Sequence, residues 1–141
     1  MKFEMDEKWN IYKGDIVPVD KYEVISVSQS CEGTKIILEG NTYTLEVQFG
    51  STDSFRITDE GGRLRTYNEV KSIQEYRNEF IGQPLFTVDN SEFLTWLMKE
   101  SAGFYENCVH YAIMTINDIV DIAATFPPEI TVKPNEGIGK L

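Results

Sequence analysis

The chain is poor in the residues that usually build catalytic and metal sites. It has one histidine, His110, and two cysteines, Cys31 and Cys108, with no CxxC or CxxH around either. A zinc site draws on several thiolate or imidazole ligands, and a secreted disulfide scaffold uses more cysteine. Neither class fits, no metal is expected, and the two thiols are expected to be reduced. Bases are scarce as well: 13 Lys and Arg stand against 23 Asp and Glu, giving a net charge of −10. A nucleic-acid binder needs Lys and Arg to displace phosphate counterions, so nucleic acid and anionic membrane surfaces are excluded as partners. Long apolar runs are missing. The richest stretch, Val109–Phe126, is interrupted by Asn117, Asp118 and Asp121, which is incompatible with a membrane span. The first residues are charged from Lys2 onward and lack the apolar segment of a signal peptide, so the expected location is cytoplasmic.

The residues that are present describe a folded domain. Hydrophobic content is 41% and aromatic content 12%, both in the globular range. A length of 141 residues fits one α+β domain over 1–141. Residues 1–20 read as an edge segment or arm, because Pro18 confines Asp15–Val19 to an edge. Residues 133–141 read as a flexible tail.

Between these ends the hydrophobic period changes once. Tyr22–Ser28, Lys35–Glu39, Thr42–Phe49 and Ser54–Thr58 read as an antiparallel meander with turns at Glu32–Thr34, Gly40–Asn41 and Gly50–Asp53. Thr42–Phe49 is the clearest strand: Tyr43, Leu45, Val47 and Phe49 share one face. From Thr66 the spacing becomes helical. Thr66 and Glu69 have the form of a capping box, Tyr67, Val70, Ile73 and Phe80 recur at three to four, and Gly82 and Pro84 end the run. Leu85–Asp89 is a short strand. Asn90 or Ser91 caps a second helix, and Val109–Thr115 is apolar on both faces, as in a central strand. Asn117–Phe126 fits a helix, and it also fits a strand after an Asn117–Asp118 hairpin turn. Its shortness and β-branched start favour the strand. The fold expected is therefore an antiparallel sheet, made by the N-terminal meander and C-terminal strands, with two helices packed on it.

Motifs for chemistry are weak. His110 is expected to be packed and hydrogen-bonded in a central strand, and Cys108 to meet it only because residues two apart share a strand face. Gly61-Gly62 and Gly137-Ile-Gly139 do not follow strands with dinucleotide or phosphate-loop spacing, so no cofactor is expected. Asp118 and Asp121, and Asp59 with Glu60, lack the alternate spacing and central glycine of a calcium loop. Surface carboxylates could in principle act as general acid and base, which keeps an enzyme of unrecognised type as an alternative.

A binding surface is better supported. Between Asn78 and Val132 stand eight acids and one base, Lys99. Within that stretch Trp96 sits on a helix whose apolar face is wider than one core stripe needs, with Glu92 and Glu100 each four residues away. Tryptophan is a favoured interface anchor, and acids around it attract a basic partner. The candidate partner-binding residues are Glu92, Trp96, Glu100, Glu106, Asp118 and Asp121.

Over about residues 42–130 the chain resembles small cytosolic proteins of Gram-positive bacteria, some of them similar to immunity proteins of polymorphic toxin systems. The resemblance rests on four features: Thr58-Asp-Glu-Gly61; Phe86-Thr-Val-Asp-Asn-Ser-Glu-Phe-Leu-Thr-Trp96; His110-Tyr111; and Asn117-Asp118 followed by an apolar strand and Pro128-Glu-Ile130. It implies a non-catalytic inhibitor that covers a basic toxin, for example a nuclease, and transfers no site residue. A structural or accessory protein forming a homodimer is the other alternative.

Overall fold

The computed structural model describes residues 5–79 and 82–135. Among these, nine strands alternate with three helices: β1 (Lys8–Ile11), β2 (Glu23–Ser30), β3 (Gly33–Glu39), β4 (Tyr43–Phe49), β5 (Ser54–Asp59), α1 (Leu64–Glu69), α2 (Lys71–Glu79), β6 (Leu85–Asp89), α3 (Glu92–Glu100), β7 (Val109–Met114), β8 (Asp118–Ala124) and β9 (Glu129–Pro134). The class is α+β, with two sheets rather than one. A four-stranded sheet has the order β2–β3–β4–β9, and a five-stranded sheet the order β1–β6–β7–β8–β5. Every pairing is antiparallel.

The layering follows from strand periodicity. In β3 and β4 every second residue is buried: Thr34, Ile36 and Leu38, then Leu45, Val47 and Phe49. These face Leu85, Tyr111, Ile113, Val120, Ile122 and Ala124 of the five-stranded sheet across the larger core. The opposite face of that second sheet carries Phe86, Val88, Ala112 and Ile119 against Val70 and Ile73, and Ala123 against Phe93 and Leu97 of α3. Strands β7 and β8 are therefore covered on both sides, which is why their sequences show no polar face.

Several expectations change in detail. The β2–β3–β4 meander forms, but β5 does not extend it; β5 crosses into the other sheet and pairs with β8. The first helical run is two helices, separated at Val70, whose backbone is extended (φ −87°, ψ 111°) and whose side chain is fully buried. Thr66 lies inside α1 and accepts from Arg63 Nε (3.1 Å), so no capping box forms. Phe80, the expected end of that run, lies outside the described residues. Asp15–Val19 forms no strand; it runs from a turn at Gly14–Ile16 into irregular backbone, and the edge strand of this N-terminal segment is β1. Lys133 and Pro134 belong to β9, paired with Thr44 and Tyr43, so the expected tail is part of the sheet at its start; residues 136–141 lie outside the description. The Asn117–Phe126 segment does contain a strand, β8 over Asp118–Ala124, with the turn at Ile116–Asn117: Thr115 and Asp118 close it through Thr115 N to Asp118 O (2.9 Å).

One half-buried acid ties the arm to the first sheet. The Asp20 carboxylate accepts backbone N–H bonds from Lys21, Asn41, Thr42 and Tyr43 at 2.8–3.1 Å. Gly40 lies so close that a Cβ there would collide with the carboxylate. Burial pushes the Asp20 carboxyl upward, but the four amide donors outweigh it and hold the group below its ordinary value. Because the folded value is the lowered one, the stabilisation is complete above the unfolded carboxylate range and fades as pH falls through the folded value. Asp20→Ala is expected to cost about 1–2 kcal/mol, most of it already absent at acid pH. Urea melts of both proteins at neutral and acid pH would show a gap that closes on acidification; a gap independent of pH would mean the carboxylate charge is not what holds the turn.

Candidate functional site

Two regions carry the chemistry-bearing side chains: a buried polar chain beneath α3 and the outer face of α3 itself.

The buried chain starts at Asp121. In β8 it points to the helix side of the five-stranded sheet and is 0% exposed. Its Oδ1 is 2.7 Å from His110 Nε2, and its Oδ2 accepts from Arg56 Nε (2.7 Å) and from Arg63 Nη1. The strand register explains the first contact: His110 pairs with Ala123 and Asp121 with Ala112, so His110 and Asp121 are diagonal neighbours on one face. Arg56 lies directly opposite Asp121 on β5, and Arg63 precedes α1. Burial drives the Asp121 carboxyl up. The His110 hydrogen bond and the two guanidinium charges outweigh that and hold it far below the usual carboxylate range.

On its other side His110 Nδ1 lies 2.7 Å from Ser91 Oγ, and Ser91 Oγ accepts from Leu94 N (2.9 Å) as the N-cap of α3. One assignment satisfies every atom. His110 Nε2–H donates to the ionised Asp121, Nδ1 accepts the Ser91 hydroxyl, and Ser91 Oγ accepts the helix amide. Trp9, Phe93 and the sheet enclose the ring, with Trp9 edge-on at 6.2 Å and Phe93 at 5.2 Å.

Serine, histidine and aspartate are thus connected in the order of a hydrolytic triad, yet the surroundings give them a structural task. Ser91 and His110 are buried, and the serine oxygen is committed to its own helix. In hydrolase elbows the amide following the nucleophile stabilises the oxyanion. Here that amide, Glu92 N, donates to the Glu7 carboxylate (2.8 Å), whose other oxygen takes Trp9 Nε1 (3.1 Å). A carboxylate at that position opposes a second negative charge. Cys108 is equally unsuited to attack. Burial and the neighbouring Asp53 carboxylate, 2.9 Å from Sγ, push its thiol up to about 11. Among the described residues no three His, Cys, Asp or Glu side chains converge as metal ligands, and no helix is long and apolar enough to cross a membrane.

The outer face of α3 is the second region. Trp96 is 51% exposed and stacks on Phe93 at 6.0 Å and 11°. Arg56 lies over the Phe93 ring, 4.6 Å from its centroid. Phe104, in the turn after α3, is 78% exposed and leans edge-on against Tyr105. Of the sequence-derived set, Trp96, Glu92, Glu100 and Glu106 come together on or just after α3, all exposed. Glu92, however, is held in a two-pronged ion pair by Arg65 of α1 at 2.7 and 3.0 Å, so it is largely neutralised. Glu100 and Glu106 make no ion pair among the described residues. Asp118 stands at the other end of β8, about 17 Å along the strand from the residues that α3 covers. Asp121 is inside and cannot contact a partner. The surface set reduces to Trp96, Glu100 and Glu106, with Phe104 added.

Comparison of the chain with protein families, curated proteins and solved structures finds no match.

Removing the Asp121 charge should destabilise the protein more than removing its serine neighbour. Asp121→Asn leaves Arg63 buried without a counter-charge and is expected to cost about 3–5 kcal/mol, against about 2–3 kcal/mol for Ser91→Ala, which removes a helix cap and leaves the buried His110 Nδ1 without its donor. Denaturant titration of both variants measures the ratio. Equal small losses would remove Asp121 from the centre of the network.

Proposed function

We propose that the chain is a non-catalytic protein-binding domain, an immunity-type inhibitor that covers a basic toxin domain. The observation that carries this reading is two exposed aromatic side chains, Trp96 on α3 and Phe104 in the turn after it, in the same stretch as Glu100 and Glu106, which make no ion pair among the described residues. A half-exposed tryptophan stacked on a rigid partner is a ready anchor. It offers contact area at little entropic cost, since Phe93 beneath it is already fixed in the core. The acids speed encounter with a basic surface, and the aromatic contact slows dissociation. The network under α3 supports the same reading, because Ser91, His110 and Glu7 hold the helix N-terminus and so fix the angle at which Trp96 is presented.

The test is co-expression with a toxin gene neighbouring the chain's own gene, followed by kinetics on the purified pair. Trp96→Ala is expected to weaken binding by about 2 kcal/mol or more and abolish growth rescue, with little change in melting temperature. Glu100→Gln with Glu106→Gln should lower the association rate at low salt and leave the dissociation rate nearly unchanged. Rescue that survives Trp96→Ala at full strength would place the interface elsewhere. A wild-type chain that sediments as a dimer, and as a monomer once Trp96 is removed, would assign the face to self-association.

A further inference from the structure

A cleft of about 660 Å³ opens at the end of the five-stranded sheet away from α3, between α1, the β7–β8 turn and the Asp20–Tyr22 segment. We propose that it is a binding site for a small organic cation with an apolar body. The inference goes beyond the protein-binding role and does not depend on it.

The volume is that of a small-molecule pocket, and its lining is mostly apolar, with Tyr67, Phe86 and Met114 contributing. Its lips are two apolar side chains left in water, Leu64 at 61% and Ile116 at 49% exposure. Leu64 opens α1, where the helical period would place it in the core. Both lips are apolar surface that an occupant would cover.

The rim is negative. Among the described residues Asp20, Asp59 and Glu60 line it against one base, Lys21. Just outside, Asp118 lies directly opposite Asp59 across the β5–β8 pair, an arrangement in which two like charges repel. Glu23 joins them, accepting from Asn117 Nδ2 of the turn. None of these five acids makes an ion pair among the described residues. Asp20 spends its lone pairs on backbone amides and contributes its field alone. Asp59 uses Oδ2 to cap Gly61 N (3.0 Å) and keeps Oδ1 free, and Glu60 makes no side-chain hydrogen bond among the described residues. Asp59 and Glu60 are therefore the groups that would contact a cationic head, with the apolar body lying between Leu64 and Ile116. An incoming cation relieves the Asp59–Asp118 repulsion, a gain that a neutral or anionic ligand of the same shape does not have.

Three probes sharing one apolar body test this: phenylbutylamine, phenylbutanol and phenylbutyrate, each titrated into the full chain with amide chemical shifts as readout. The amine is expected to bind in the millimolar range and shift Gly61, Leu64, Met114 and Ile116. The alcohol should bind more weakly, and the carboxylate at least about tenfold more weakly than the amine. A double variant, Asp59→Asn with Glu60→Gln, keeps the Gly61 cap and removes two rim charges; it should lose about tenfold in amine affinity and leave the alcohol unchanged. Leu64→Lys, a change at an exposed lip, should block the amine without lowering the melting temperature. Equal affinities for the amine and the carboxylate, an amine affinity indifferent to the double variant, shifts centred on α3, or no saturable amine binding in the millimolar range would each overturn the proposal.

Discussion

A single ionised carboxylate, closed off from water, organises the helix side of this protein. Asp121 has no solvent to stabilise its charge, so the fold must supply every partner, and it draws them from four places: β5 gives Arg56, the segment before α1 gives Arg63, β7 gives His110, and through His110 the N-terminus of α3 is reached at Ser91. Isolated charges of this kind are costly to bury. Together these contacts specify how α1 and α3 sit on the five-stranded sheet, because moving either helix strands a charge or a hydroxyl. Apolar packing through Val70, Ile73, Phe93 and Leu97 supplies area, but it is far less directional.

The functional surfaces inherit their geometry from this hub. Arg56 connects the inside and the outside, bonding Asp121 with Nε while its guanidinium covers the Phe93 ring on which Trp96 stacks. An exposed aromatic anchor is thus supported by an ion pair whose carboxylate is buried. At the far end of the sheet the balance reverses. Acids collect around the cleft with one lysine, and Leu64 and Ile116 remain in water. A surface that leaves both like charges and apolar groups uncompensated invites a ligand with the complementary pair of properties.

The class and most strand positions were legible in the sequence because strand alternation and helix spacing are local signals. Tyr43–Phe49 alternates in the structure as its residues require, and Ser91 caps α3 as its hydroxyl allows. Topology was less legible. Nothing local in Ser54–Asp59 tells β5 to leave one sheet for the other, since its burial is decided by β8 more than sixty residues later. The division at Val70 was hidden because an apolar residue at the right spacing continues a helical pattern even where its backbone is extended. The Asp121 network was missed through register. A turn at Asn117–Asp118 instead of Ile116–Asn117 slides Asp121 two positions along β7, away from His110. The acidity of 78–132 was overstated for a related reason: the bases that neutralise Asp121 and Glu92 are Arg56, Arg63 and Arg65, all from the preceding third of the chain. Charge counted in a window cannot see partners that folding brings from outside it.

The most direct test of the account is the tautomer of the His110 ring, read from its two nitrogen chemical shifts in labelled, folded protein at neutral pH. The network requires a proton on Nε2, donated to Asp121, and a bare Nδ1 accepting the Ser91 hydroxyl. A proton on Nδ1 in the folded wild type, whether in the other neutral form or in the imidazolium, would contradict it, because Ser91 would then receive two donors and lose the acceptor for its own hydroxyl.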